Sequence, residues 1–167
     1  MSRATQVASM VLLGTAFLLA GSAAARDGVR SMVHEMLKVE SRDGKVLVRV
    51  TIDNQSDHTV YVPRSVASEK EPFGNLFEVR DSSNGDPVNY IGPMVKRGPL
   101  GKEDFLPVKP HTRHHNTIDI TSAYAFMPGR RAYQLNYSGH YLTDLKKTGQ
   151  TTPVEPDSVM FAHVGKP

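Results

Sequence analysis

Histidine and methionine are the residues here whose spacing could bind a metal, and the chain has no cysteine to help them. Met32, His34 and Met36 fall on one face if residues 32–36 are extended. Thioether and imidazole donors suit Cu(I). The same spacing also arises in a strand that packs two methionines inward as gap-fillers. His111, His114 and His115 form the densest histidine group. On a helix these three would share a face and could hold a metal. The segment instead follows Pro110 and leads into an alternating run, Thr117-Ile118-Asp119-Ile120. On a strand His111 and His115 share a face and His114 opposes them, with no carboxylate or thiolate at ligand spacing. Solvated turn histidines are the alternative. Neither group makes a resident metal or other cofactor part of the expectation.

Other chemistry finds little to use. His34-Glu35-Met36-Leu37-Lys38 begins the pattern of a zinc protease helix but ends in Lys, so the second ligand is missing. There is no Gly-x-Ser-x-Gly elbow, no thiol nucleophile and no phosphate-cradling glycine pattern. Carboxylates are abundant but scattered. The expectation is a protein that binds rather than catalyses.

The segment suited to binding runs from Tyr90 through Ile91-Gly92-Pro93-Met94-Val95-Lys96-Arg97-Gly98-Pro99 and closes at Glu103-Asp104-Phe105. A loop this long inside a strand-rich domain is uncommon unless it binds or covers something. Tyr90, Lys96, Arg97, Pro99 and Lys102 are the candidate contact residues. Their cations stand on a proline-stiffened backbone that loses little entropy on entering an acidic cleft. A solvated connection between two sheets is the competing account.

The elements that must carry this loop are strands. Val46, Val48, Val50 and Ile52 alternate with Leu47, Arg49 and Thr51, the pattern of a half-buried strand. Met36 to Glu40 is its expected partner, joined through Ser41-Arg42-Asp43-Gly44, and Asp-Gly is a strong hairpin signal. Further runs are Thr59 to Val62, Leu76 to Arg80 with Phe77 and Val79 inward, and Val88 to Tyr90. Phe105 to Val108 is expected to pair with Thr117 to Ile120. Tyr133, Leu135 and Tyr137 share a face, and Val159 to Val164 closes the domain. Residues 122–126 suit one helical turn, and 146–156 suit a mobile loop. The expected fold is all-β: a single immunoglobulin-like antiparallel β-sandwich of about seven to eight strands. Tyr124 is placed either as a corner tyrosine tied to backbone or as a plain core residue.

Residues 1–25 read as a secretory signal peptide. Arg3 gives the positive start, Val7 to Ala20 the apolar run, and Ala23-Ala24-Ala25 the cleavage site, so residues 26–167 form the expected mature domain. The destination is periplasmic or secreted. Twenty basic against 17 acidic residues, interspersed, give an ordinary surface and not a nucleic-acid footprint.

A resemblance adds to this. Phe77-Glu78-Val79-Arg80-Asp81, Pro87-Val88-Asn89-Tyr90-Ile91-Gly92-Pro93, Lys96-Arg97-Gly98-Pro99 and Glu103-Asp104-Phe105 form an ordered set. Val108-Lys109-Pro110, residues 119–124, Pro128-Gly129 and Tyr133 continue it. The set resembles the non-catalytic, propeptide-like N-terminal β-domain of deuterolysin-type (aspzincin, peptidyl-Lys) metalloendopeptidases, over residues 36–140. The zinc helix of those enzymes has no counterpart here, and Pro110-His111 stands where the family has Pro-Gly. The resemblance implies a protein partner of that protease class, docked as inhibitor or folding chaperone. A periplasmic copper binder and a structural or adhesive envelope domain are the alternatives.

Overall fold

The computed structural model describes residues 32–96 and 98–167; the leader read at 1–25 and Arg97 lie outside the described residues. The architecture is all-β, as expected. Strands β1 (Val33–Arg42) and β2 (Lys45–Asn54) form the hairpin, with Val39 opposite Val48 and Arg42 opposite Lys45. The two-residue turn between them has Asp43 at φ 53° and Gly44 at φ 74°. Both angles are those of a primed turn, which explains the Asp-Gly pair. Val46, Val48, Val50 and Ile52 are fully buried, as their alternation requires.

The chain continues through β3 (Val60–Pro63), a helical turn α1 (Arg64–Ala67) and β4 (Glu78–Asp81). Then come β5 (Phe105–Val108), β6 (Thr112–Asp119), β7 (Gly129–Asn136), β8 (Gly139–Tyr141), β9 (Thr152–Val154) and β10 (Val159–Gly165). One three-stranded sheet has the order β1-β2-β6 and the other β10-β7-β4, all antiparallel. Val48, Val50, Ile52 and Ile118 of the first sheet and Val79, Tyr133, Leu135 and Phe161 of the second belong to one buried cluster. That shared core makes the two sheets a sandwich. Among the described residues no helix is long and apolar enough to cross a membrane.

Several expectations change: the described residues form ten strands and not seven to eight, and Val88 to Tyr90 is no strand but lies between the isolated bridges of Pro87 with Arg80 and Tyr90 with Tyr124. Phe105–Val108 does not pair with Thr117–Ile120: β5 pairs β3, and β6 pairs β2. The short run containing Pro107 lies beside Tyr61, more than forty residues back, so its partner is set by packing and not by proximity. Residues 122–126 turn without forming a helix. Within 146–156, Thr152–Val154 is the strand β9 against β8, with Val154 buried.

Strands β1 and β10 close one side of the sandwich without a ladder between them. Ser41 Oγ meets His163 Nδ1 at 2.9 Å, while residues 35–37 and 157–160 line one cavity of about 350 Å³. The two strands therefore run side by side in the same direction. At this seam Glu35 is 4% exposed, and neither of its carboxyl oxygens has a hydrogen-bond partner among the described residues.

Candidate docking loop

The loop after β4 is fastened at both ends. Where it leaves the core, Tyr90 bridges to Tyr124 in the backbone and their rings meet edge-on, 5.4 Å between centroids. The amides of Ile91 and Gly92 both donate to the carbonyl of Ala123, at 2.8 and 3.2 Å. The Tyr90 hydroxyl accepts from the Gly74 amide at 2.9 Å and has the Pro93 carbonyl at 2.8 Å in donating range. Tyr90 is thus half-buried and acts as the fastening of the loop.

The second fastening is the turn Lys102–Asp104, which precedes β5. Gly101 N donates to Asp104 Oδ2 at 2.8 Å, and Arg64 Nε donates to the Glu103 carbonyl at 2.8 Å. Phe105 then enters the core. Between the fastenings, no residue from Met94 to Leu100 among those described makes a hydrogen bond to the body.

The loop is more apolar at its surface than its cations suggest. Ile91 is 63% exposed, Met94 76% and Val95 53%, and Leu100 is also exposed. Lys96 and Pro99 stand exposed beside them, with Lys102 at the far end. Phe73 adds another exposed ring nearby: with Leu100, Ser65, Glu69 and Leu76 it lines a groove of about 220 Å³. From Ile91 to Lys102 the sequence holds three basic residues and no acidic one, before Glu103 and Asp104 restore the balance. Contiguous exposed apolar side chains rimmed by charge mark interaction surfaces. Sequence reasoning singled out the cations and passed over Phe73, Ile91, Met94, Val95 and Leu100. The signal for the last four was large apolar side chains in a segment too rich in glycine and proline to be a strand.

The histidine and methionine candidates divide. His111 is not on a strand: it occupies the turn before β6 at φ 51°, and its Nε2 meets Asp57 Oδ1 at 2.8 Å. This breaks the expected alternation with His115. His114 points to the α1 side, where its Nε2 meets the Ala67 carbonyl at 2.6 Å. His115 faces outward with Nδ1 at 3.0 Å from Thr51 Oγ1. Met32, His34 and Met36 are exposed and not packed inward. Among the described residues no group of three or more His, Cys, Asp or Glu side chains could hold a metal ion.

Tyr124 satisfies both readings offered for it. It is buried, and its hydroxyl donates to the Phe77 carbonyl at 2.7 Å while accepting from the Phe77 amide at 2.9 Å. Burial pushes its phenol up to about 12, so the hydroxyl stays protonated and able to donate. Tyr124 thereby clamps the start of β4 and also supports the ring of Tyr90 beneath the loop.

No protein-family model matches the chain, and no curated protein matches it.

Proposed function

We propose that this chain is an exported, non-enzymatic binding module of immunoglobulin-like type, docking on a partner protein through the 91–102 loop. The observation that carries the reading is the apolar crest of the loop, Ile91, Met94 and Val95. Exposed Ile91, Met94 and Val95 adjoin Lys96 on a loop fastened at both ends by Tyr90 and by the Gly101–Asp104 turn. A pre-fastened loop retains its shape on docking, so less conformational entropy is lost. Its chemistry fits a cleft with an acidic floor and an apolar wall, the cations steering approach and the crest supplying contact area.

The partner class comes from the motif resemblance: a deuterolysin-type zinc metalloendopeptidase, held as inhibitor or folding chaperone. A peptidyl-Lys cleft is acidic by its specificity, and Lys96 with Arg97 is the complementary pair.

The test is a binding titration of the full-length protein against a purified peptidyl-Lys metalloendopeptidase, with protease activity followed in parallel. Saturable binding, weakened tenfold or more by Met94→Ser/Val95→Ser and by Lys96→Ala/Arg97→Ala, supports the reading. Unchanged affinity in both variants overturns the loop assignment, and absence of binding by the wild type overturns the partner.

A further inference from the structure

The strand register places His115, from the second histidine group, on the same sheet face as His34 and Met36. On the outer face of the β1-β2-β6 sheet, Met36 lies opposite Thr51, and Thr51 lies opposite His115. The next row is His34, Asp53 and Arg113. Met36 and His115 are therefore two strands apart, about 10 Å between α-carbons. A methionine and a histidine reaching toward each other can close that span around one metal ion.

The imidazole is already oriented for it. The contact between His115 Nδ1 and Thr51 Oγ1, at 3.0 Å, inclines the ring over β2 toward Met36, and Nε2 has no hydrogen-bond partner among the described residues. Fixing one ring nitrogen by a neighbour defines which nitrogen a metal can take. Met36 is 46% exposed on a strand face where an apolar side chain gains nothing from the core. Asp53, the nearest carboxylate in the next row, is occupied by Arg113 at 2.8 Å, which holds it well below the usual carboxylate range. On this sheet face the donors are the Met36 thioether and the imidazoles of His34 and His115, while Asp157 and Met160 line a cavity with Met36 at the sheet edge.

We propose that Met36 and His115, with His34 one row away as the third donor, form a surface site for Cu(I). Soft thioether and neutral imidazole donors in low coordination number select Cu(I) over Zn(II), which favours thiolate, imidazole and carboxylate in a tetrahedral set. The proposal is independent of the docking loop.

The experiment is an anaerobic titration of the full-length protein with Cu(I) against the chromophoric chelator bicinchoninate. It is repeated with Met36→Leu, His115→Asn and, as a control at a methionine far from the site, Met94→Leu. One Cu(I) per chain is expected, with at least a tenfold loss in Met36→Leu and in His115→Asn and none in Met94→Leu. X-ray absorption should show one sulfur scatterer at copper that disappears in Met36→Leu. Failure to take Cu(I) from the chelator overturns the site, as does binding that survives Met36→Leu at full strength. Circular dichroism of each variant confirms that a loss is not unfolding.

Discussion

The carboxyl of Glu35 occupies the space that a β-carbon on residue 139 would need: a methyl built on Gly139 would lie 2.5 Å from Glu35 Oε2 and 2.6 Å from Tyr137 Cε1. Gly139 is therefore a packing requirement for the charged residue behind it. Gly139→Ala should destabilise the fold by about 1–3 kcal/mol, the usual range for forcing atoms into a packed interior. Chemical denaturation measures it. Combined with Glu35→Ala, which vacates the space, the second substitution should cost clearly less than it does alone.

Glu35 also makes stability depend on pH. Burial pushes its carboxyl from 4.5 up to about 7, because the charged form has no partner. An acid raised in the folded state binds its proton more tightly there than when unfolded. Its contribution is thus fully present below about 4.5 and is lost as pH rises through about 7. The shift corresponds to about 3 kcal/mol. Glu35→Gln should be more stable than wild type at pH 8, and the difference should shrink or reverse at pH 4.5. His163, whose pKa burial holds below its ordinary value, acts in the opposite sense as pH falls. Comparing the two proteins at each pH cancels that contribution.

Tyr124→Phe removes the hydroxyl that serves both backbone groups of Phe77. An amide and a carbonyl would be left unpaired in a buried position, at about 1–3 kcal/mol. The Tyr90 ring meets Tyr124 edge-on, so the loop fastening should loosen too. Hydrogen exchange at Ile91 and Gly92 should quicken by more than global stability predicts, and equal protection would deny the link between clamp and loop.

The β1–β2 hairpin was legible because its alternation and its Asp43-Gly44 turn agree, and the structure adds only length at either end. What stayed hidden depends on partners far away in the chain. Nothing local to Phe105–Val108 points to Val60–Pro63. Glu35 shares its strand face with Val33 and Leu37 and is buried, the opposite of the reading that packs Met32 and Met36 inward. A carboxylate in that position is easily read only as part of a failed ligand motif. The loop's place was visible from its glycines and prolines, whereas the fastening work of Tyr90 depends on Gly74 and Ala123, which sequence spacing cannot bring together. The facing of Met36 and His115 needed the register of three strands.

The side-by-side run of β1 and β10 has a mechanical consequence. The chain arrives at Val33 and leaves after Gly165 at opposite poles of the sandwich, separated by the length of a ten-residue strand, about 33 Å. Tension applied through those two points loads the strands in shear. No ladder hydrogen bonds join them, so the force falls on side-chain contacts such as Ser41 with His163. Load along this seam is carried by side-chain packing, whereas within each three-stranded sheet it is carried by ladder hydrogen bonds.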